Sequence, residues 1–491
     1  MTSFSIIFPF DHFRQPWRVF ARPTVTKKPP NLHQLVQHSE QLPPFVRESV
    51  AARRYLELLG PLAWDQFPER NLCLTKGLPP VPYAPFVAAC LVKLDQQFAY
   101  MSQLRQYLLD QPALIWLLGF PLVPSASLPW GFDPAASLPT QRHLTRMLRV
   151  IPNPVLQFLL DSSVSLLQAE LKAVGVTLGQ AISIDTKHIL ACVEENNPKA
   201  YVKLADRLDK TRQPKGDPDC KLGCKRKRNQ PPAEEQATPP PKKARRTTNF
   251  SPNDEYFWGY ASGVVATKVP DWGEFALAEL TLTFDQPDVA YFYPLMAHVQ
   301  RRLGFRPHYA AFDAAFDAFY IYEYFHSDQH DGFAAVPLTE RGGKRQFDEH
   351  GWPLCQAGLP MPLKYTFRSK VTLFEHERGR YVCSLRFPQK TNQTCPVNHK
   401  QWPKGGCIST LPTSIGARIR HQLNRHSDIY KQVYKQRTAS ERINSQAEAL
   451  GIERPKIRNF QAIANQNTLI YILINLRGLQ RIRRKKADRQ I

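Results

Sequence analysis

Tyr434-Lys-Gln-Arg437-Thr-Ala-Ser-Glu441-Arg442-Ile-Asn444-Ser445-Gln-Ala-Glu448 reads as one helix. Tyr434, Arg437, Glu441, Asn444/Ser445 and Glu448 recur at three- and four-residue steps and so share a face. That face is polar. A carboxylate one helical step beyond a tyrosine and an arginine suits a phosphate backbone and a metal ion. A solvated helix carries Arg and Glu at the same spacing, however. What separates the two readings is whether the rest of the chain supplies partner carboxylates.

Composition narrows the partner. The chain has 491 residues, too many for one core, so two or three domains are expected. Sixty-five Lys and Arg against 42 acids leave a net charge of +23. A surplus of that size points to a polyanion, nucleic acid before membrane. No apolar run is long enough for a membrane helix, and the short apolar N-terminus lacks the basic flank of a signal peptide. Nine cysteines, an odd number spread over a long chain, argue for a reducing compartment.

Residues 1–45 are proline-spotted and read as an extended arm, and 46–178 as a helical domain. Within it, Phe86, Val87, Cys90, Leu91 and Leu94 follow helical spacing, Ser102 is placed as an N-cap, and Gly119 stops a short apolar helix. Thr140 caps a helix with Arg142, His143, Arg146 and Arg149 outward, either a DNA-binding face or a solvated one. Val155 to Val174 is a long amphipathic helix. Then the character changes. Gln180 to Lys187 reads as a strand with Asp185 near its end. Residues 209–250, rich in Pro, Lys and Arg, read as a solvated basic insert. Strands follow at Tyr256–Val269 and Glu274–Phe284, a helix opens at Asp288, and a short strand ends at Asp313. A helix over Phe316–Phe325 and a strand over Gly332–Leu338 complete a core of 179–340 and 426–480. Residues 341–425 are an irregular, β-rich insertion, and 481–491 a basic tail.

Asp185 and Asp313 both end short hydrophobic strands, where side chains of an α/β sheet converge on a crevice. Metal-dependent phosphodiester chemistry draws carboxylates from separate elements to hold two cations about 3.5–4 Å apart. Two or three carboxylates suffice for Mg²⁺. In this order the two aspartates, with Glu441, resemble the catalytic set of a DDE transposase of a bacterial insertion sequence, in the group with a Tyr-x2-Arg-x3-Glu-x6-Lys helix. Tyr434, Arg437 and Glu441 match that signature; Ile182 to His188 resembles its first-aspartate strand and Phe312 to Asp317 its second. The likeness covers about 80 to 480, outside the 209–250 insert.

The resemblance implies a ribonuclease H-like mixed sheet flanked by helices. Asp185, Asp313 and Glu441 would be catalytic and hold Mg²⁺ or Mn²⁺, while Tyr434, Arg437, Arg442 and Lys187 would contact DNA. The implied activity is cleavage and strand transfer at terminal inverted repeats, by a dimer on double-stranded DNA in the bacterial nucleoid. Asp317 rivals Asp313 but falls a helical turn beyond the strand. One position departs: the signature lysine is Glu448, so Arg442, Lys456 or another base serves, or end binding is weakened, or the copy is decaying. That departure supports a rival reading, a transposase-derived protein that binds DNA without cutting. Cys355, Cys383, Cys395 and Cys407 cluster in the insertion without a CxxC pair, and form either a structural zinc site or four reduced thiols.

Overall fold

A computed structural model describes Leu32, Leu35 and residues 42–71, 81–200, 202–225, 254–326, 331–338, 345–370 and 375–490. The expected N-terminal arm lies almost wholly outside these residues, as do 226–253 of the expected basic insert. The chain divides into two compact units, Met1–Ile151 and Pro152–Ile491.

The first unit is helical: α1 (Pro44–Glu48), α2 (Val50–Leu59), α3 (Tyr83–Asp95), α4 (Met101–Asp110), α5 (Pro112–Leu117), α6 (Pro134–Ser137) and α7 (Gln141–Val150). The apolar α3 is its buried centre, and its terminal Asp95 is satisfied by Arg54 and by the Tyr55 hydroxyl at 3.1 Å. Thr140 caps α7 by accepting from the His143 amide at 3.3 Å. Leu144, Met147 and Leu148 of α7 are buried, and Arg142, Arg146 and Arg149 are exposed. Ser102 is not a cap. The helix starts one residue earlier, because the Gln103 side chain returns to the Tyr100 amide at 3.0 Å.

The second unit is mixed α/β, a curled mixed sheet flanked by helices. Its strands are β1 (Ala181–Leu190), β2 (Lys221–Lys225), β3 (Glu255–Val269), β4 (Gly273–Thr283), β5 (Tyr309–Ala311) and β6 (Phe333–Ala335). β3 and β4 form an antiparallel hairpin, β1 pairs antiparallel with β3 and parallel with β5, and β5 pairs parallel with β6. The central order is therefore β4-β3-β1-β5-β6. The helices are α8 (Asn153–Lys172), the single turn α9 (Leu204–Arg207), α10 (Phe292–Leu303), α11 (Phe319–Phe325), α12 (Ile415–Gln422), α13 (Asp428–Tyr434), α14 (Arg437–Ala449) and α15 (Phe460–Gln490). No single described helix is long and apolar enough to cross a membrane.

Four expectations change. The long helix α8 belongs to the second unit, not to the helical domain expected over 46–178. It packs on α15, where Asn475 donates to the Ser163 hydroxyl at 3.0 Å. Asn475 also brackets both the amide and the carbonyl of Ala276 in β4 (2.9 and 2.8 Å), beside a register shift in the hairpin. Buried Glu279 of β4 ties the same layers together by accepting from Thr468, Thr281 and Gln157 (2.7, 2.8 and 3.1 Å). Second, residues 209–225 are not solvated insert: β2 pairs with the start of β3, and Asp217 and Asp219 accept the amides of Asn459 and Phe460 at the head of α15. A helix end leaves such donors without internal partners, so two acids there are stabilising.

Third, no helix ends at Leu476 to leave a basic tail. α15 runs to Gln490, burying Leu479 and Ile482 while Arg483 and Lys486 pair with Glu170 of α8. Fourth, the single helix expected over Tyr434–Glu448 is two. Between them Lys435 and Gln436 keep helical dihedrals but the turns tighten, the Gln436 amide donating to the Val433 carbonyl at 2.9 Å and the Ala439 amide to the Gln436 carbonyl at 2.8 Å. The Gln436 side chain accepts the Lys268 amide of β3 at 3.3 Å, and the Ser440 amide donates to the Ser183 hydroxyl of β1 at 3.1 Å.

The insertion after β6 carries a three-stranded antiparallel sheet, β7 (Leu363–Ser369), β8 (His376–Val382) and β9 (Ile408–Pro412), in that order. Of two short β-like runs in the sequence, Lys370–Glu375 lies mostly outside the described residues, and Arg380–Phe387 overlaps β8 but extends past its end. Their hydrophobic alternation is too short to set register, which the pairing with β9 supplies.

Candidate functional site

Asp185 is not at the end of its strand. β1 continues five residues further, but its parallel partner β5 does not, and the last parallel pair is Ser183 with Ala311. Asp185 and Asp313 each lie two residues beyond that pair. Where β5 ends, the two aspartates come abreast. Asp313 turns the chain, its carboxylate accepting the Ala315 amide at 2.9 Å.

The alternation of β1 sends Ser183, Asp185 and Lys187 to one face, and α14 lies along it. Each strand residue meets a helix residue four apart from the next. The Ser440 amide donates to Ser183, Asn444 Nδ2 donates to Asp185 Oδ2 at 2.9 Å, and Lys187 Nζ pairs with Glu448. Two strand residues advance about 6.6 Å and four helix residues about 6 Å, so the rungs stay in step. His188 points to the other face, where it packs on Phe284 and Phe257. Burial and its lysine neighbours hold its imidazole below the usual range, as for a structural histidine.

Burial pushes the Asp185 carboxyl up to about 6; the Thr186 amide, donating at 2.9 Å, opposes this, and the neighbouring Asp313 charge adds to it. Asp313 is raised by burial and then by Asp288. Arg437 opposes the rise at both aspartates and itself pairs with Glu441 one turn along α14. Glu441 is thus tied to the pair through a shared arginine.

Among the described residues no three His, Cys, Asp or Glu side chains stand close enough together to hold a metal ion. The donor chemistry still suits a hard divalent cation. Two carboxylates share a half-closed site, and beside them the buried Asn444 Oδ1 has no hydrogen-bond partner.

The other expected residues fall as follows. Asp317 is fully buried and clamped by Arg420 of α12 through two bonds (2.7 and 2.5 Å), with the Tyr322 hydroxyl donating at 2.9 Å. It is an anchor rather than a companion of Asp185. Tyr434 closes α13, stacking on Tyr430 (6.0 Å, 9°) against a small cluster with Ala335 and Val433. Arg442 lies off the β1-facing stripe and pairs with Glu274 of β4 at 2.6 Å. In the insertion the Cys383 amide donates to the Cys407 carbonyl at 3.0 Å. Burial, then Cys383 and Cys355, push the Cys407 thiol up to about 12. Cys395 Sγ accepts the His399 amide at 3.5 Å.

Two residues of the site were not singled out from the sequence. Asp288 accepts from the Thr186 hydroxyl at 2.7 Å and is an acid neighbour of Asp313. In the sequence it has the form of a helix opener after Pro287, so only the fold reveals its second surface. Asn444 sat on the polar stripe without an assigned role. Compared with known proteins, the chain matches no protein-family model and no curated protein.

Proposed function

We propose that this chain is a DDE transposase, cutting double-stranded DNA at the terminal inverted repeats of an insertion sequence and joining the 3′ ends to a target. One observation carries the reading: Asp185 and Asp313 come abreast on neighbouring parallel strands, under a helix that brings Arg437, Glu441 and Asn444. The strand order β4-β3-β1-β5-β6, antiparallel on one side of β1 and parallel on the other, supports a ribonuclease H-like core. The +23 charge suits the substrate.

Asp185, Asp313 and Glu441 would hold Mg²⁺ or Mn²⁺, which when bound supplies the charge that activates water or a 3′ hydroxyl. The chain's own part is positional. Asn444 and the Thr186 amide fix the Asp185 carboxylate, and the Asp313 carboxylate is fixed by its own turn. Arg437 offers a planar donor to a phosphate oxygen once it leaves Glu441. Pairing of two element ends implies a dimer on DNA within the nucleoid. In the insertion, zinc on Cys355, Cys383, Cys395 and Cys407 would staple irregular chain. Stoichiometric zinc in the purified protein would support that site, and its absence leaves four reduced thiols.

A second reading is favoured by Glu441, which pairs with Arg437 rather than joining the aspartates. A transposase-derived protein that binds DNA without cutting would carry such a pair unharmed. Cleavage and strand transfer with Mg²⁺ or Mn²⁺, compared between the wild type, Asp185→Ala and Glu441→Ala, decides between them. Undiminished activity in either variant sinks the assigned mechanism. DNA binding without metal and with no cleavage favours the second reading.

A further inference from the structure

Glu448 stands where the resemblance expects a lysine, and the fold places a lysine against it. Lys187 reaches Glu448 from the strand rung next to Asp185, on the same face of β1. The lysine side chain is 17% exposed and the glutamate 47%, so the ammonium is held at the rim of the cleft, not on the open surface. An ammonium has three donors, and a carboxylate on one side leaves donors to point elsewhere.

The geometry points to Lys187 as the cation that binds a DNA phosphate beside the carboxylate pair, with Glu448 as the positioning residue that tethers it. This rests on the nuclease reading above and gives Lys187, one of four residues the resemblance sets against DNA, a defined place and Glu448 as its partner. The cation comes from the strand instead of the helix, so the acid at 448 is the other half of an exchanged pair rather than a lesion. Tethering matters because a lysine stem is flexible, and an ammonium confined near one place loses less freedom on meeting a phosphate. Ser183–Ser440 and Asp185–Asn444 hold the strand and helix in the register that brings Lys187 to Glu448.

The test uses the full chain, a short fluorescent DNA duplex, and a supercoiled plasmid with Mn²⁺, with Asp185→Asn as the cleavage control. Lys187→Gln is expected to weaken duplex binding about 3- to 10-fold near 0.1 M salt. It should also reduce the slope of log affinity against log salt by about 0.9, the signature of one lost phosphate contact. Lys187→Arg should keep that slope. Glu448→Gln removes the tethering carboxylate but leaves the Lys187 ammonium and hence the slope; it should slow cleavage about 3- to 10-fold with little change in apparent KM, as expected when positioning and not binding is lost. Glu448→Lys should be worse than Glu448→Gln, because two ammonium groups then face one another. A merely structural ion pair would move the melting temperature and leave the salt slope alone.

A Lys187→Gln protein with the wild-type slope overturns the inference. So does a Glu448→Lys protein that binds or cuts as well as the wild type, since position 448 would then be an open phosphate site. If the wild type and Asp185→Asn are equally inactive on the plasmid, the nuclease reading fails and the salt slope alone decides the role of Lys187. A wild-type chain that does not bind the duplex overturns both.

Discussion

Asp185 must ionise while buried, and that cost is readable. Its carboxyl is pushed up to about 6, first by burial, against an ordinary value near 3.9. The folded state therefore binds the proton more tightly than the unfolded chain. The resulting stability is fully present below about pH 4 and is lost as pH rises through about 6. At neutral pH, Asp185→Asn should raise stability by about 1–3 kcal/mol while abolishing metal-dependent cleavage. Thermal melting at pH 7.5 and pH 4 measures it: the gain should be present at the first and absent at the second. The opposite trade holds at Asp317, which has no exposure and is gripped by Arg420. Asp317→Asn leaves a buried guanidinium without its counter-charge and should cost about 3–5 kcal/mol. Asp313→Asn should cost far less and remove cleavage. Equal losses at 313 and 317 in urea unfolding would contradict this division into site and anchor.

Helix boundaries were the elements least legible in the chain. The polar stripe from Tyr434 to Glu448 is continuous at helical spacing, yet α13 and α14 are separate. No breaker residue marks Lys435-Gln436; the Ser440 amide, which a continuous helix would keep for its own ladder, goes to Ser183 of β1, and Gln436 reaches β3 through its side chain. The end of α15 errs in the other direction. Arg481 to Lys486 read as a tail because basic residues crowd them, but Leu479 and Ile482 continue the apolar spacing between those charges and are buried. Ile482→Ala should therefore destabilise the second unit by about 2–4 kcal/mol, a core-sized loss. A change within about 0.5 kcal/mol in equilibrium unfolding would restore the tail. The strands β3 and β4 were read well because their apolar and β-branched runs are long; Asp313 was legible because a short apolar run, Tyr309 to Phe312, ends in an acid.

At the scale of the whole molecule, the pairing of β2 with β3 predicts that the fold does not need residues 226–253. The last pair of β2 with β3 joins Lys225 to Glu255, so the two strands already meet as a hairpin. Replacing residues 226–254 by Asn-Gly, which favours a tight hairpin turn, should leave the melting temperature unchanged. Within 226–254 are seven Lys and Arg against three acids, so the same protein should bind duplex DNA more weakly with a shallower salt dependence. Loss of folding would show that this stretch contributes to the core, and unchanged binding that its charge serves another purpose. Unit boundaries resisted sequence reading because α8 is amphipathic, and amphipathicity says that a partner exists without saying which one. Its partners, β4 and α15, come more than a hundred residues later.

By itself the sequence determined a basic, α-helical and α/β chain, the strands that carry Asp185 and Asp313, and the polar helix with Arg437 and Glu441. These depend on local periodicity and charge, which neighbouring residues express. Only the tertiary structure decided that Asp317 is an anchor, that Asp288 and Asn444 attend the aspartates, that Arg442 turns to Glu274, and that Glu448 has Lys187 as its counterpart. The hydrogen bonds and ion pairs behind those outcomes each join residues about 100 or more positions apart. Burial and pairing over such separations depend on which strand ends first and which helix lies across it, and no local pattern encodes that.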